Sequence, residues 1–130
     1  MERQFIKGTW QKERTFSPAV CTVGGRTVWL AGHGATVDGM GKPIGHDFDA
    51  QTRQAFKNME ATLERAGGTL RDIVTMTVFI IDSRHGMRFV EIREEFYPDG
   101  NYPGSALITC AGFARPEMMV EIQGIAVVAE

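Results

Sequence analysis

The chain has 130 residues, 43% hydrophobic and 23% charged, which suits one globular domain with a core of its own. A net charge of −2 and a pI near 5.9 remove any electrostatic case for nucleic acid or an anionic membrane as partner. No run approaches the ~18 apolar residues of a membrane-spanning helix, and the charged start MERQFIKGTWQKER does not read as a signal peptide.

Residues 2–10 can form a short first strand, and the polar stretch from Gln11 to Pro18 reads as irregular. Ala19–Val23, Gly24-Gly25 and Thr27–Ala31 read as a hairpin, because two glycines supply the positive φ angles of a two-residue turn. Gly32-His33-Gly34 closes the second arm. Glycines beside a polar residue at a strand end either let a ligand approach the backbone or mark a simple bend. Ala35 to Gly45 is loop. Asp47 or Asp49 can then cap a helix in which Phe48, Thr52, Ala55, Phe56, Met59, Leu63 and Ala66 recur at helical spacing. Gly67-Gly68 ends it.

Ile73 to Ile81 is a β-branched run dense enough for a central strand. Asp82-Ser83 caps a second helix over roughly 84–97, whose Arg84, Arg88 and Arg93 alternate with Glu91, Glu94 and Glu95 as on a solvated, ion-paired face. Pro98 to Pro103 is turn-rich. The last quarter reads as two strands joined by a loop. Period-2 alternation in the second puts Met119, Glu121, Gln123 and Ile125 on one face and Val120, Ile122, Gly124 and Ala126 on the other. A carboxylate in a hydrophobic strand is expensive unless it is paired, solvated at an edge, or useful. The order β, ββ, α, β, α, ββ predicts an α+β fold with two helices on one face of a mixed sheet. The other face carries too many apolar side chains for a solvated monomer, which argues for an oligomer.

Cys21 and Cys110 match no zinc or redox spacing, so they read as reduced thiols of a cytoplasmic protein. Ser17, Ser83 and Ser105 lack a Gly-x-Ser-x-Gly context. His33, His46 and His85 are scattered, with no His-x-x-x-His pair, so no metal site is expected.

Over nearly its whole length the chain resembles the Rid (reactive-intermediate deaminase, YjgF-type) family. The carrying segments are Phe16-Ser17-Pro18-Ala19-Val20, VWLAGHG, AQTRQAFKNMEATLERAGGTLRDIVTMTVFIID, YPGSALITCAGF and VEIQGIA. The resemblance implies a single domain over 1–130 with a chorismate-mutase-like fold, assembled as a homotrimeric barrel with clefts at the subunit interfaces. It implies hydrolysis of 2-imino or 2-enamino acids to 2-oxo acids and ammonia, without metal or organic cofactor. In the best-studied branch a Glu on the last strand holds or relays the proton of the attacking water, and an Arg on the penultimate strand forks onto the substrate carboxylate. This sequence keeps the Glu as Glu121. It has Ser105 where the Arg would stand.

Other positions depart as well. Phe16 stands for a Tyr, His33 for a Gln and Leu107 for a Cys that Cys110 does not replace in register. Val90 stands for an Asn, unless a one-residue slip makes that position Glu91. A charge-assisted hydrogen bond contributes about 1.5–3 kcal/mol, which serine cannot supply alone. The protein therefore takes a substrate without that carboxylate, uses Arg14, Arg88, Arg93 or Arg115 instead, or has lost the activity. The expected function is a cofactor-free deaminase-type hydrolase of a small imine, enamine or related C–N compound, and not a standard 2-imino-acid deaminase. Glu121 is its acid/base, with Ser105, Phe16, His33, Gly32, Leu107 and Cys110 lining the cleft. His33 is either a second base or a hydrogen-bonded strand-end histidine. The alternative is a non-enzymatic trimer that binds a metabolite or protein in the same clefts.

Overall fold

The computed structural model describes residues 1–130. Its strands are β1 (Glu2–Ile6), β2 (Ala19–Val23), β3 (Arg26–His33), β4 (Ile73–Ile80), β5 (Gly104–Thr109) and β6 (Val120–Val128), with helices α1 (Phe48–Arg65) and α2 (Gly86–Phe96). The main sheet has the order β3-β6-β4-β5, and β1 and β2 form a separate antiparallel pair. β4 and β5 run parallel, joined through α2, while β6 is antiparallel to both β3 and β4. The mixed α+β architecture is the one expected.

Strand partners differ from expectation at both ends. β2 pairs with β1, from Glu2 opposite Val23 to Ile6 opposite Ala19, and β3 pairs with β6, so the Gly24-Gly25 turn does not close a hairpin. Both glycines do have positive φ, but a side chain at Gly25 would strike Val127 and the carbonyl of Val128. The turn thus delivers β3 onto β6 instead of back onto β2. The final strands are not hairpin neighbours either, because β4 lies between β5 and β6. Strand pattern fixes which face is buried but not which strand lies alongside.

Alternation in β6 is as read. Val120, Ile122, Gly124 and Ala126 are buried against the helices, whereas Glu121, Gln123 and Ile125 face away. Phe56, Met59 and Leu63 of α1 meet Met76, Val78 and Ile122 of the sheet in one core. Asp47 caps α1 by accepting from the Ala50 N–H at 3.0 Å. The fully buried Gln51 donates to the carbonyls of Ile44 (3.0 Å) and Glu117 (2.8 Å) and accepts from the Met119 N–H (2.8 Å). That amide ties the start of α1 to the chain entering β6, and so sets where Glu121 emerges. The opposite sheet face has no helix. Trp29 and Ile108 stand exposed there, flanking the half-buried Phe79 and Ile125. No helix is long and apolar enough to cross a membrane, and both cysteines are free.

Candidate functional site

The residues singled out in the sequence fall into two separate clusters, candidate half-sites of a cleft. The first lies at the edge strand β5. A bridge between Ser17 and Gly104, with Ser17 N–H donating to the Pro103 carbonyl at 2.9 Å and Ser17 Oγ to that of Tyr102 at 2.6 Å, pins the 16–18 segment beside the start of β5. Phe16 is held edge-on by Trp10, ring centroids 5.7 Å apart. Pro18, Val20, Thr75, Gly104, Ser105 and Ala106 are among the residues lining an open hollow of about 430 Å³.

Ser105 lies opposite Met76 and Leu107 opposite Val78. Laterally paired residues share a face, so both side chains point to the helical side, toward α2. There Arg93 meets Ser105: Nη1 donates to Ser105 Oγ at 2.6 Å, Nε to Thr15 Oγ1 at 3.1 Å and Nη2 to the Arg14 carbonyl at 3.0 Å. The guanidinium also lies 5.0 Å from the Phe89 ring centroid. Burial lowers its pKa to about 10, with Tyr97 and Tyr102 opposing that shift. Arg93 is therefore not on a solvated face; it is 3% exposed. The sequence does contain the signal. Phe89, Ile92, Arg93 and Phe96 recur at i, i+3, i+4 and i+7, so Arg93 belongs to the buried stripe of α2. Val90 is buried beside it and its carbonyl accepts from the Thr15 hydroxyl at 3.0 Å, whereas Glu91 is exposed. Thr15, absent from the sequence-level candidates, is buried with a left-handed φ of 56°.

The second half-site lies across the sheet. Glu121 is opposite Phe79, half-buried on the face without helices, and no side chain or backbone group donates to its carboxylate. The carboxylate packs over Gly32, where any Cβ would collide with Oε1. Gly32 sits in the irregular register of β3 between Leu30 and His33, and this bulge makes the room. The Asn58 amide donates to the Gly34 carbonyl at 3.1 Å and steadies the chain beyond it. Cys110 follows β5, its N–H donating to the Ile80 carbonyl at 2.8 Å.

His33 does not join Glu121. It pairs with Ile122 on the helical face, its Nδ1 2.7 Å from the Ala31 carbonyl and its Nε2 2.9 Å from Thr62 Oγ1. With Nδ1 donating to the carbonyl, Nε2 accepts the Thr62 proton. Both ring nitrogens are engaged, as in a strand-end structural histidine, and the second-base reading has no geometric support.

Glu121 and Ser105 flank β4 on opposite sides and are offset by the three residues from Met76 to Phe79. Ordinary strand spacings put their Cα atoms ~14 Å apart, with side chains on opposite faces. One copy alone does not bring them together.

Residues 9–128 match the family model described as Endoribonuclease L-PSP. The chain belongs to this YjgF, or Rid, family. The Rid protein YyfB from Yersinia pestis, a protein of unknown function, is 26% identical and superposes with a TM-score of 0.86, covering 98% of this chain and 100% of that one. A YjgF/YER057c/UK114-family member from Mycobacterium tuberculosis is also 26% identical over the same shares, with a TM-score of 0.69. Rid membership agrees with the segments singled out in the sequence and supports a role connected with small molecules, in deamination or binding.

Proposed function

We propose that this Rid protein is a single-domain, cofactor-free hydrolase that deaminates a small imine or enamine in the cytoplasm, in clefts between copies of a homotrimer. Glu121 carries the reading. A half-buried carboxylate on a strand, with no protein donor spent on it and a glycine bulge making space beside it, is placed to hold a water and move its proton. A carboxylate kept only for structure would be paired, or replaced by an apolar residue at little cost. Attack of that water on the C=N carbon gives a carbinolamine. Return of a proton to nitrogen then releases ammonia and leaves the carbonyl product, with Glu121 shuttling the proton and ending as it began.

The two half-sites are the reason for placing the cleft between copies. Glu121, Gly32 and Cys110 would come from one subunit, and Phe16, Ser105 and Leu107 from the neighbour. RNA cleavage, which the family model's description names, finds no support in a chain of net charge −2. The second reading, a non-catalytic binding trimer, is favoured by one observation: serine stands where the best-studied branch places its substrate-binding arginine.

The test is hydrolysis of imines generated in situ by an amino-acid oxidase, with semicarbazide trapping to report their lifetime. Wild type should shorten that lifetime, and Glu121→Gln should reduce the rate by about 10²–10⁴-fold, the usual worth of a general acid/base. Imines with and without a carboxylate belong in the assay. Wild type inert toward all of them would favour the binding module. Activity that survives Glu121→Gln undiminished would remove Glu121 from the mechanism.

A further inference from the structure

We propose that His33 is a positioning residue: its ring staples the β3 bulge to α1 and so holds Gly32 in place beside Glu121. This rests on the reading of Glu121 as the acid/base. It gives the strand-end histidine a part in the reaction without contact with the substrate.

The bulge is what needs holding. Leu30 pairs with Gly124 and His33 with Ile122, so Ala31 and Gly32 of β3 stand against the single Gln123 of β6. The extra residue breaks the alternation of faces. Trp29 lies on the open side opposite Ile125, and Gly32, three positions on, also meets the open side, because a Cβ there would strike the Glu121 carboxylate. Continuing the Leu30–Gly124 register without the bulge would turn Gly32 toward the helices and set His33 opposite Glu121 in its stead. β3 is an edge strand with β6 as its one neighbour in the main sheet, so the ladder braces it from one side only.

Three bonds supply the missing brace. His33 Nδ1 donates to the Ala31 carbonyl at 2.7 Å and Nε2 accepts from Thr62 Oγ1 at 2.9 Å, joining bulge, ring and α1 in one chain. One turn before Thr62 on the same helix face, the Asn58 amide donates to the Gly34 carbonyl at 3.1 Å. Gly32 has no side chain to anchor it and is fixed through residues 31, 33 and 34. Regular pairing would break the bond to Thr62, because the ring would swing to the side of the sheet away from α1. Glutamine also offers one donor and one acceptor group at the end of its side chain and can stand in for the ring, whereas leucine offers neither.

Two readouts test this together: imine hydrolysis, and the ¹³C spectrum of protein labelled at the glutamate carboxylates, with the Glu121 resonance assigned by its loss in Glu121→Gln. His33→Leu and Thr62→Val should each lower kcat by about tenfold or more, the scale on which a misplaced reacting group acts, with KM held within about twofold. The double variant should lose no more than the larger single loss, since both changes break one chain of bonds. The Glu121 resonance should move in both variants, and His33→Gln should restore rate and resonance together. A resonance that stays still in His33→Leu, or a kcat that stays unchanged, would overturn the proposal. So would a His33→Gln variant as slow as His33→Leu, because the imidazole itself would then be required. Should His33→Leu fail to fold, Thr62→Val, which removes a single hydroxyl, carries the same predictions. Wild type that clears no imine while the resonance follows this pattern would sink only the deaminase reading. Wild type that clears imines, with rate and resonance indifferent to both substitutions, would sink only the His33 brace.

Discussion

At the scale of single residues, the site depends on what stands beside each polar group. Glu121 and Gly32 form one such pair. An added methyl at Gly32 would fall on Glu121 Oε1, the free end of a side chain that can swing away without disturbing the backbone. Gly32→Ala should therefore change stability by no more than about 0.5 kcal/mol, as for most exposed substitutions. It should lower the imine-hydrolysis rate by about 10- to 100-fold, the scale on which a displaced reacting group acts. Thermal melts and kinetics on the same sample check both halves. An unchanged rate would mean that the position of that carboxylate does not matter, which no acid/base mechanism through Glu121 can accommodate. Glu121 was legible because a charge interrupts an apolar alternation. Its dependence on Gly32 was not, because the contact requires a bulge between Leu30 and His33 that no period-2 pattern encodes.

At the scale of elements, α2 does most to shape the β5 half-site. Its entry is set by Asp82, whose carboxylate accepts from the Arg84 N–H at 2.9 Å and from the Arg84 guanidinium at 2.7 Å. These bonds, the side-chain one first, hold its pKa down to about 2. A carboxyl depressed on folding stabilises the native state above its ordinary pKa near 3.8, and that contribution is lost as pH falls toward about 2. The stability gap between wild type and Asp82→Asn should be constant from neutrality to about pH 5 and close between about pH 4 and 2. Urea titrations across that range measure it; a gap that persisted unchanged to pH 2 would contradict the ionic origin. The elements themselves were largely legible, since α1, β4 and β6 announce themselves by 3.6- and 2-residue periods. The partners of β2 and β5 were not, because both glycine turns and long loops permit several pairings. Arg93 was misread for a related reason: alternating charges along α2 suggested a solvated face, while its place on the Phe89–Phe96 stripe pointed inward.

At the scale of the whole molecule, the helices cover one side of the main sheet, and both the apolar open side and the split between half-sites concern the other. Trp29, 76% exposed, lies opposite Ile125 in the sheet, and the row Ile108, Phe79, Glu121 continues across the same face by register. Leaving such a contiguous apolar surface in water is unfavourable, and packing it against copies of itself is the usual remedy. The same packing would seal the water beside Glu121 from bulk and bring a neighbour's β5 edge to it, so assembly and activity should rise and fall together. Sedimentation velocity should show a trimer for wild type. Trp29→Glu, which introduces a charge into that face at a position that touches neither half-site, should shift the population to monomer. Its imine-hydrolysis rate per chain should fall by at least tenfold on dilution below the assembly threshold and recover at high concentration, because each monomer retains both half-sites but lacks the partner for either. A monomeric wild type with full activity would show that one chain closes the site by itself. The ~14 Å separation across β4 would then have to be bridged by a rearrangement of β5, and the cleft would belong on the helical side of the sheet.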